Sequence, residues 1–180
     1  MSKELITSSG IDTSLTGTGI VVLENGKITK QQLIKSKPSG DKPVNEVKRI
    51  QKIVEEIELI VSEYMPRIAV IEGLAYLAKG TSLVQLAALN YMTRAMLMNY
   101  HIPFVIVFPT TLKKFATGNG AAKKDEILLA TFKRYGVTIM DDNEADAYNL
   151  SQIGLALLGG NSKDTNQKQE EVLTLLKTQL

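Results

Sequence analysis

The N-terminal third of the chain is patterned as three short β-strands, because apolar runs alternate there with small or polar residues. Asn25 and Gly26 separate the second run from the third, and this pair favours the positive φ values of a type I′ turn. A loop that contains Pro38 and Gly40 follows the third run. The predicted strands are residues 5–11, 17–23 and 28–34.

The rest of the chain alternates helical patterns with short apolar strands. Apolar residues recur at helical spacing along one stripe between 44 and 64, and Pro66 ends this helix. Two short, wholly apolar runs are typical of strands that are buried on both faces, and Pro109 ends the second of them. The predicted helices are 44–64, 82–100, 124–135 and 144–158, and the predicted strands are 68–71 and 104–108.

This order of elements predicts an α/β protein. An antiparallel meander that feeds two parallel strands through helical crossovers gives a five-stranded mixed sheet, with three antiparallel strands, then two parallel ones, and helices on both faces. The length suits one domain, which we place at residues 1–160. Residues 161–180 begin polar and end in a weak amphipathic stretch, so we expect them to form an accessory tail.

Composition excludes several kinds of chemistry. The chain has 44% hydrophobic and 22% charged residues, as an ordinary globular domain has, and no apolar run is long enough to span a membrane. It contains no cysteine, which rules out disulfides and thiolate zinc sites. The single histidine, His101, cannot build a histidine-rich metal site. These features lead us to expect a cytoplasmic protein.

Positive charge is concentrated in one segment. Between 110 and 134 the chain has six basic residues against two acidic ones, whereas the net charge of the whole chain is only +2. Local clustering of this kind is typical of a surface that binds a polyanion. A solvated helix face would carry a similar pattern.

Acidic residues at the ends of predicted elements indicate a metal site. Asp12 follows the first strand, Glu72 ends the fourth, and Asp142 and Asp146 lie at the start of the last helix. Carboxylates that converge from such positions make the oxygen-rich site that Mg²⁺ or Mn²⁺ prefers, and this favours metal-assisted phosphodiester chemistry.

Each acid also has a simpler interpretation. Asp12 could be an ordinary turn residue, although the nearby Gly17 and Gly19 would let backbone approach a phosphate. Glu72 is harder to explain by packing, since buried carboxylates need partners. Acids in the first turn of a helix stabilise its dipole, but Asp146 precedes apolar residues at helical spacing and is expected to face inward.

Five segments together resemble the RuvC-type Holliday junction resolvases of the RNase H-like superfamily, particularly the phage-encoded branch. They occur in the family's order and span residues 10 to about 158. Each segment by itself is only moderately specific to the family, whereas the five segments in this order are strong evidence for the resemblance. The segments are GIDTSLTGTG (10–19), VIEG (70–73), PTTLKK (109–114), TGNGAAKK (117–124) and EADA (144–147).

The resemblance implies a metal site that holds two Mg²⁺ ions, for which Mn²⁺ can substitute. Asp12, Glu72 and Asp146 match the family's metal-binding carboxylates. The position three residues before the last acid usually holds Asp or His, and here it is Asn143. Either the Asn143 amide serves as a weaker ligand or a neighbouring acid, Asp142 or Glu144, supplies the charge. Asp142 is preferred because its i, i+4 spacing places it on the Asp146 face.

The resemblance also implies contacts with DNA. Lys113 and Lys124 match lysines that act near the scissile phosphate, where an ammonium group would stabilise negative charge. Tyr76 lies near the family's aromatic residue that stacks on an unpaired base, although it could instead cap the core. Helix 82–100 matches the dimerisation region, but a central core helix would look alike. Further expected DNA contacts are Lys79, Lys114 and Lys123.

These implications define a hypothesis and its rivals. The expected protein is a homodimeric, two-metal endonuclease that resolves four-way and other branched DNA and leaves 5′-phosphates, with no nucleotide cofactor and no membrane partner. A non-catalytic protein that binds branched DNA through a decayed site is the main alternative, and Asn143 is its sequence support. An actin-like or sugar-kinase-like ATPase is disfavoured by the length of the chain. A relative that processes RNA ends is the third alternative.

Overall fold

A computed structural model describes residues 5–38, 40, 42–74, 81–160 and 165–180. The strands are β1 (Thr7–Asp12), β2 (Gly17–Glu24), β3 (Lys27–Lys35), β4 (Ile68–Glu72) and β5 (Phe104–Val107). The helices are α1 (Pro43–Tyr64), α2 (Thr81–Asn99), α3 (Pro109–Thr117), α4 (Lys124–Tyr135), α5 (Asp142–Leu157) and α6 (Gln167–Leu176), and a 3₁₀ turn (Lys177–Gln179) follows α6.

The five strands form one mixed sheet in the order β3-β2-β1-β4-β5. β2 is antiparallel to both β1 and β3, whereas β4 is parallel to β1 and β5 is parallel to β4. The hairpin between β2 and β3 turns at Asn25 and Gly26, which both adopt positive φ (48° and 83°). The sheet predicted from the sequence is therefore confirmed.

Helices cover both faces of this sheet, because successive side chains of a strand point to opposite sides. Ile20 and Val22 of β2 pack with α1 and α2, whereas Val21 and Leu23 pack with Tyr148 of α5. The α5 face continues under β4 and β5, where α3 and α6 complete the packing. The site described below lies on the α5 face, at the edge where β1, β4 and β5 end.

Helix α5 approaches the sheet unusually closely at two glycines. A Cβ atom on Gly10 would lie 1.9 Å from the carbonyl oxygen of Ala147, and one on Gly19 would lie 2.3 Å from that of Asn143. The space beside Gly19 is therefore filled by the helix, whereas the approach of backbone in this turn to a phosphate stays a prediction. The Ser8 hydroxyl donates to the carbonyl oxygen of Ser151 at 2.8 Å, which fixes the helix along β1.

Helix α2 is partly buried. Leu89, Met96 and Leu97 pack in the core beside α1, whereas the opposite side of the helix leaves Val84 and Tyr91 exposed. Although α2 is rich in apolar residues, none of the helices in the described ranges has the length and apolarity needed to cross a membrane.

Two C-terminal features differ from the sequence analysis or extend it. Pro109 starts α3 instead of only ending a strand, because proline is tolerated at the first helical position, where its missing N–H is not needed. Helix α6 is capped by Asn166, whose side chain accepts from the Gln169 N–H at 3.1 Å. Val172 and Leu173 of α6 are buried in the same cluster as β4 and β5. The division of the chain at residue 160 stays a prediction.

We expect Gly10→Ala to lower the free energy of unfolding by about 3 kcal/mol or more, because the added methyl group would meet backbone atoms of α5 that cannot move independently. Urea denaturation measures this loss. Gly17→Ala is the matched control, since its Cβ would meet only side-chain atoms, Asn143 Nδ2 at 3.2 Å and Leu33 Cδ1 at 3.4 Å. Equal destabilisation by the two substitutions would contradict the close approach of α5.

Candidate active site

Asp12 and Glu72 end two neighbouring parallel strands. β1 and β4 pair with Ile11 opposite Ile71, so the acids that follow these residues lie side by side at one edge of the sheet. Ile11 and Ile71 pack on the α1 and α2 face. Because side chains alternate along a strand, Asp12 and Glu72 are directed to the other face, toward α5. Asp12 is 4% exposed, and Glu72 is half-buried.

Asp146 comes from α5, one turn inside the helix. Asp141 precedes the helix, and its side chain caps it by accepting from the N–H groups of Asn143 and Glu144. One turn later, Asp146 faces the sheet, and its Oδ1 atom is buried with no hydrogen-bond donor among the described residues. A buried carboxylate oxygen without a donor is costly, so this atom requires a cation, a proton or water.

The three acids raise one another's pKa. Burial raises the pKa of Asp12 well above its usual range, and the negative charge of Glu72 adds to this rise. Burial also raises the pKa of Glu72, although a hydrogen bond from Asp12 opposes that rise. Burial and repulsion from Asp12 raise the pKa of Asp146 to about 7. The site therefore holds more negative charge than its surroundings stabilise.

Two lysines partly offset this charge. Lys113 on α3 and Lys124 at the start of α4 both lower the pKa of Glu72 and of Asp146, which shows that their ammonium groups lie within electrostatic reach of the acids. Lys124 also forms an ion pair with Asp142. This pair raises the pKa of Lys124 and lowers that of Asp142, so both groups stay charged at neutral pH.

The three residues that could complete the acidic set lie in different surroundings. Asp142 is near enough to Asp12 and Asp146 for its charge to raise the pKa of both. Asn143 packs over β2, with its side-chain nitrogen 3.2 Å from the position of a Cβ on Gly17. Glu144 is half-buried in the first turn of α5.

Two of the four remaining predicted DNA contacts, Lys114 and Lys123, lie in the described ranges. Lys114 forms an ion pair with Glu171 of α6 at 2.7 Å. Lys123 precedes α4 and is exposed, and its backbone N–H donates to Glu126 at 2.6 Å. Tyr76 and Lys79 lie outside the described residues.

Asn90 is a residue of the site that sequence reasoning missed. It is fully buried on α2, and its Nδ2 atom donates to Thr13 Oγ1 at 3.1 Å and to the backbone oxygen of Glu72 at 2.8 Å. Because Thr13 follows Asp12, these two bonds tie α2 to both strand ends that carry acids. Its only signal in the sequence was an asparagine in the middle of a mostly apolar helix.

The carboxyl oxygens of these acids are chemically suited to bind a divalent cation. Among the residues that the structure describes, no group of three or more acidic or histidine side chains is arranged to hold a metal ion as it stands. However, three carboxyl groups with raised pKa values and a buried oxygen without a donor favour a hard cation, which would relieve the repulsion between them. Asp12, Glu72 and Asp146 are the residues that could bind it.

The fold and this acidic edge define an RNase H-like α/β protein. The architecture is similar to that of a structure titled "T. thermophilus RuvC in complex with Holliday junction substrate", with a TM-score of 0.70, 16% identity, and coverage of 86% of this chain and 97% of that chain. It is also similar to the yeast mitochondrial Holliday junction resolvase Ydc2, with a TM-score of 0.59, 11% identity, and coverage of 95% and 81%.

Sequence comparison identifies the family. The family model described as crossover junction endodeoxyribonuclease RuvC matches residues 9–134, which include Asp12, Glu72 and both lysines of the site. A protein from Prochlorococcus marinus that bears the same description is 29% identical over 154 residues, covering 81% of this chain and 96% of the relative. The chain belongs to the RuvC family of crossover junction endodeoxyribonucleases.

The raised pKa of Asp146 predicts how metal-free stability depends on pH. Its folded pKa of about 7 exceeds its usual value of 3.8, so the folded state holds this proton more tightly than the unfolded state does. The contribution to stability is therefore fully present below pH 3.8 and is lost as the pH rises through 7. We expect Asp146→Asn to be more stable than the native chain at pH 7.5 in EDTA, by up to about 4 kcal/mol, and to lose this advantage near pH 4.

Urea denaturation at several pH values measures this difference, and Asp125→Asn on the exposed start of α4 is the control. Added Mg²⁺ should stabilise the native chain more at pH 7.5 than at pH 5, since a carboxylate must lose its proton to bind the ion. A difference between the native chain and Asp146→Asn that does not change with pH would refute the raised pKa.

Proposed function

We propose that this protein is a metal-dependent endonuclease that resolves four-way DNA junctions. The observation that carries the proposal is the convergence of Asp12, Glu72 and Asp146, from three separate elements, beside Lys113 and Lys124 in a chain of the RuvC family. Both described structural relatives are Holliday junction proteins by name, which supports branched DNA as the substrate class.

In this proposal the acids bind two Mg²⁺ ions, or Mn²⁺ in their place. Asp12 is central to this set, because it is the most buried acid and interacts with Glu72, Asp142 and Asp146. Bound ions would activate water for in-line attack on phosphorus and stabilise the leaving 3′ oxygen, so that products carry 5′-phosphates. We assign the fourth acidic position to Asp142 and not to Asn143, since Asp142 has a lowered pKa and stays charged beside Asp12.

The two lysines stabilise the phosphate during attack. Negative charge on the phosphoryl oxygens grows as the water oxygen approaches, and a fixed ammonium group beside it lowers the barrier. Lys124 is suited to this task because its ion pair with Asp142 raises its pKa and keeps it protonated. Lys113 reaches the same acids from α3, so the phosphate would lie between two cations and the acidic edge.

A homodimer would place two such sites on one junction. Helix α2 leaves Val84, Tyr91 and Met98 exposed by 69%, 63% and 65%, and these residues recur every seven positions along one side of the helix. An exposed apolar stripe of this kind marks an interaction surface. A two-fold axis through α2 would connect the sites of both copies to the interface, because Asn90 of each α2 bonds to the strand ends that carry Asp12 and Glu72.

We expect Asp12→Asn to bind a four-way junction with near-native affinity but to cut it at least about 1000-fold more slowly in Mg²⁺, because the substitution removes the central carboxylate of the site. End-labelled junctions, incubated with purified protein and resolved on denaturing gels, measure the cleavage rate. Asp125→Asn makes the same change on an exposed helix and should cut like the native chain.

Other results would point elsewhere. Paired symmetric nicks near the crossover, absent from linear duplex, support a resolvase. Binding of the junction by the native chain with no cutting in either Mg²⁺ or Mn²⁺ would instead establish the non-catalytic alternative. Preferential cutting of RNA substrates would favour the alternative that processes RNA ends.

The proposed dimer predicts a specific effect of charge on α2. We expect Val84→Glu to shift the protein from dimer to monomer in sedimentation velocity and to replace paired nicks by single ones, because a buried carboxylate without a partner disfavours the interface. Leu59→Glu on α1 is the matched control, since Leu59 is 70% exposed and Val84 is 69% exposed. A monomeric native protein would refute the proposed interface.

A further inference from the structure

A basic cavity lies between the end of β3 and the first half of α1. Its volume is about 310 Å³, and the buried side chains of Ile34 and Ile53 form part of its wall. The charged residues that line it are five cations and one carboxylate: Lys35, Lys37, Lys48, Arg49, Lys52 and Glu56.

The positive charge of this basic cavity exceeds the negative charge in its lining, where Glu56 is the one carboxylate among the described residues. In the described ranges, none of its four lysines takes part in an ion pair, whereas Lys114 and Lys124 elsewhere do. The net charge of the whole chain is only +2, so the cavity concentrates positive charge well above the average. A concave surface of one sign raises the local concentration of the opposite ion.

Arg49 has a positioning role in this cavity. Its Nε atom donates to Ser36 Oγ at 2.6 Å, and its Nη2 atom donates to the backbone oxygen of Leu15. The Ser36 N–H in turn donates to the backbone oxygen of Thr16 at 3.2 Å. The wall of the cavity is thereby joined to the turn that follows Asp12, and the four lysines remain available for a ligand.

The cavity lies at the same edge of the sheet as the acidic site but on the opposite face, since Ile34 and Ile53 pack with α1 whereas Asp12 is directed toward α5. β1 and β3 run in the same direction, since both are antiparallel to β2, and Lys35 at the end of β3 pairs with Gly17. β1 and β3 are two strand spacings apart, about 10 Å.

We propose that the basic cavity binds the phosphodiester backbone of the junction arm that adjoins the cut site. This inference rests on the proposed function and adds a second contact to it. Lysine ammonium groups act as point charges that suit phosphates in any sequence, so the contact positions the arm without reading bases. Arg49 joins the wall of the cavity to the turn that follows Asp12.

Neutralising two lysines of α1 tests the proposal. We expect Lys48→Gln/Lys52→Gln to reduce the slope of log affinity against log salt by about 2 and to weaken junction binding roughly tenfold in metal-free buffer. Both side chains are exposed, so circular dichroism melting should be unchanged. The matched control is Lys27→Gln/Lys30→Gln, which makes the same change of charge at the opposite end of β3.

Two results would overturn the inference, and they differ from a failure of the proposed function. A native chain that fails to bind junctions refutes both proposals. A Lys48→Gln/Lys52→Gln variant with native affinity and native salt slope refutes only the DNA-binding role of the cavity. An equal loss of junction affinity in the control variant would do the same.

A modified substrate tests the location. Methylphosphonates placed one at a time along the arm that adjoins the cut should weaken binding by the native chain at a run of consecutive phosphates. At that run they should have little further effect on the Lys48→Gln/Lys52→Gln variant. Losses that multiply independently would place these lysines on another part of the DNA and overturn the assignment.

Discussion

The close contact between α5 and the first two strands is the constraint on which the site depends. It requires glycine at two positions where any side chain would meet the backbone of the helix, Gly10 beneath Ala147 and Gly19 beneath Asn143. The Ser8–Ser151 hydrogen bond then fixes the helix along β1. Because a helix is rigid over one turn, this contact also determines the position of Asp146 relative to Asp12. The same glycines that permit tight packing thus assemble the acidic edge.

The acidic edge is electrostatically unfavourable by itself. The pKa values of Asp12, Glu72 and Asp146 are raised by burial and mutual repulsion, and no tightly packed core requires three acids at one place. Such strain is typical of functional sites, where a ligand supplies the missing charge. In this molecule the counter-charges come from separate elements, Lys113 on α3 and Lys124 on α4, so the electrostatic balance of the site depends on the packing of both helices against α5.

Much of the site could be predicted because strand and helix periods act locally. Alternation along β1 and β4 places Asp12 and Glu72 on one face, and helical spacing directs Asp146 inward. Other parts gave little local signal. Pro109 both ends a strand and starts α3, and only the packing of that segment shows that it is helical. Asn90 looked like one of several polar residues in a mostly apolar helix, because its partners Thr13 and Glu72 are distant in the chain.

The sequence by itself determined the order of the strands, the mixed sheet, the family and the acids at strand ends, because these follow from short-range periodicity and from ordered motifs. The tertiary structure decided which charges meet. The Lys124–Asp142 pair, the Lys114–Glu171 pair and the basic cavity between β3 and α1 each join segments that are separated in the chain. Electrostatic interactions depend on distance and burial, and both are properties of the folded chain.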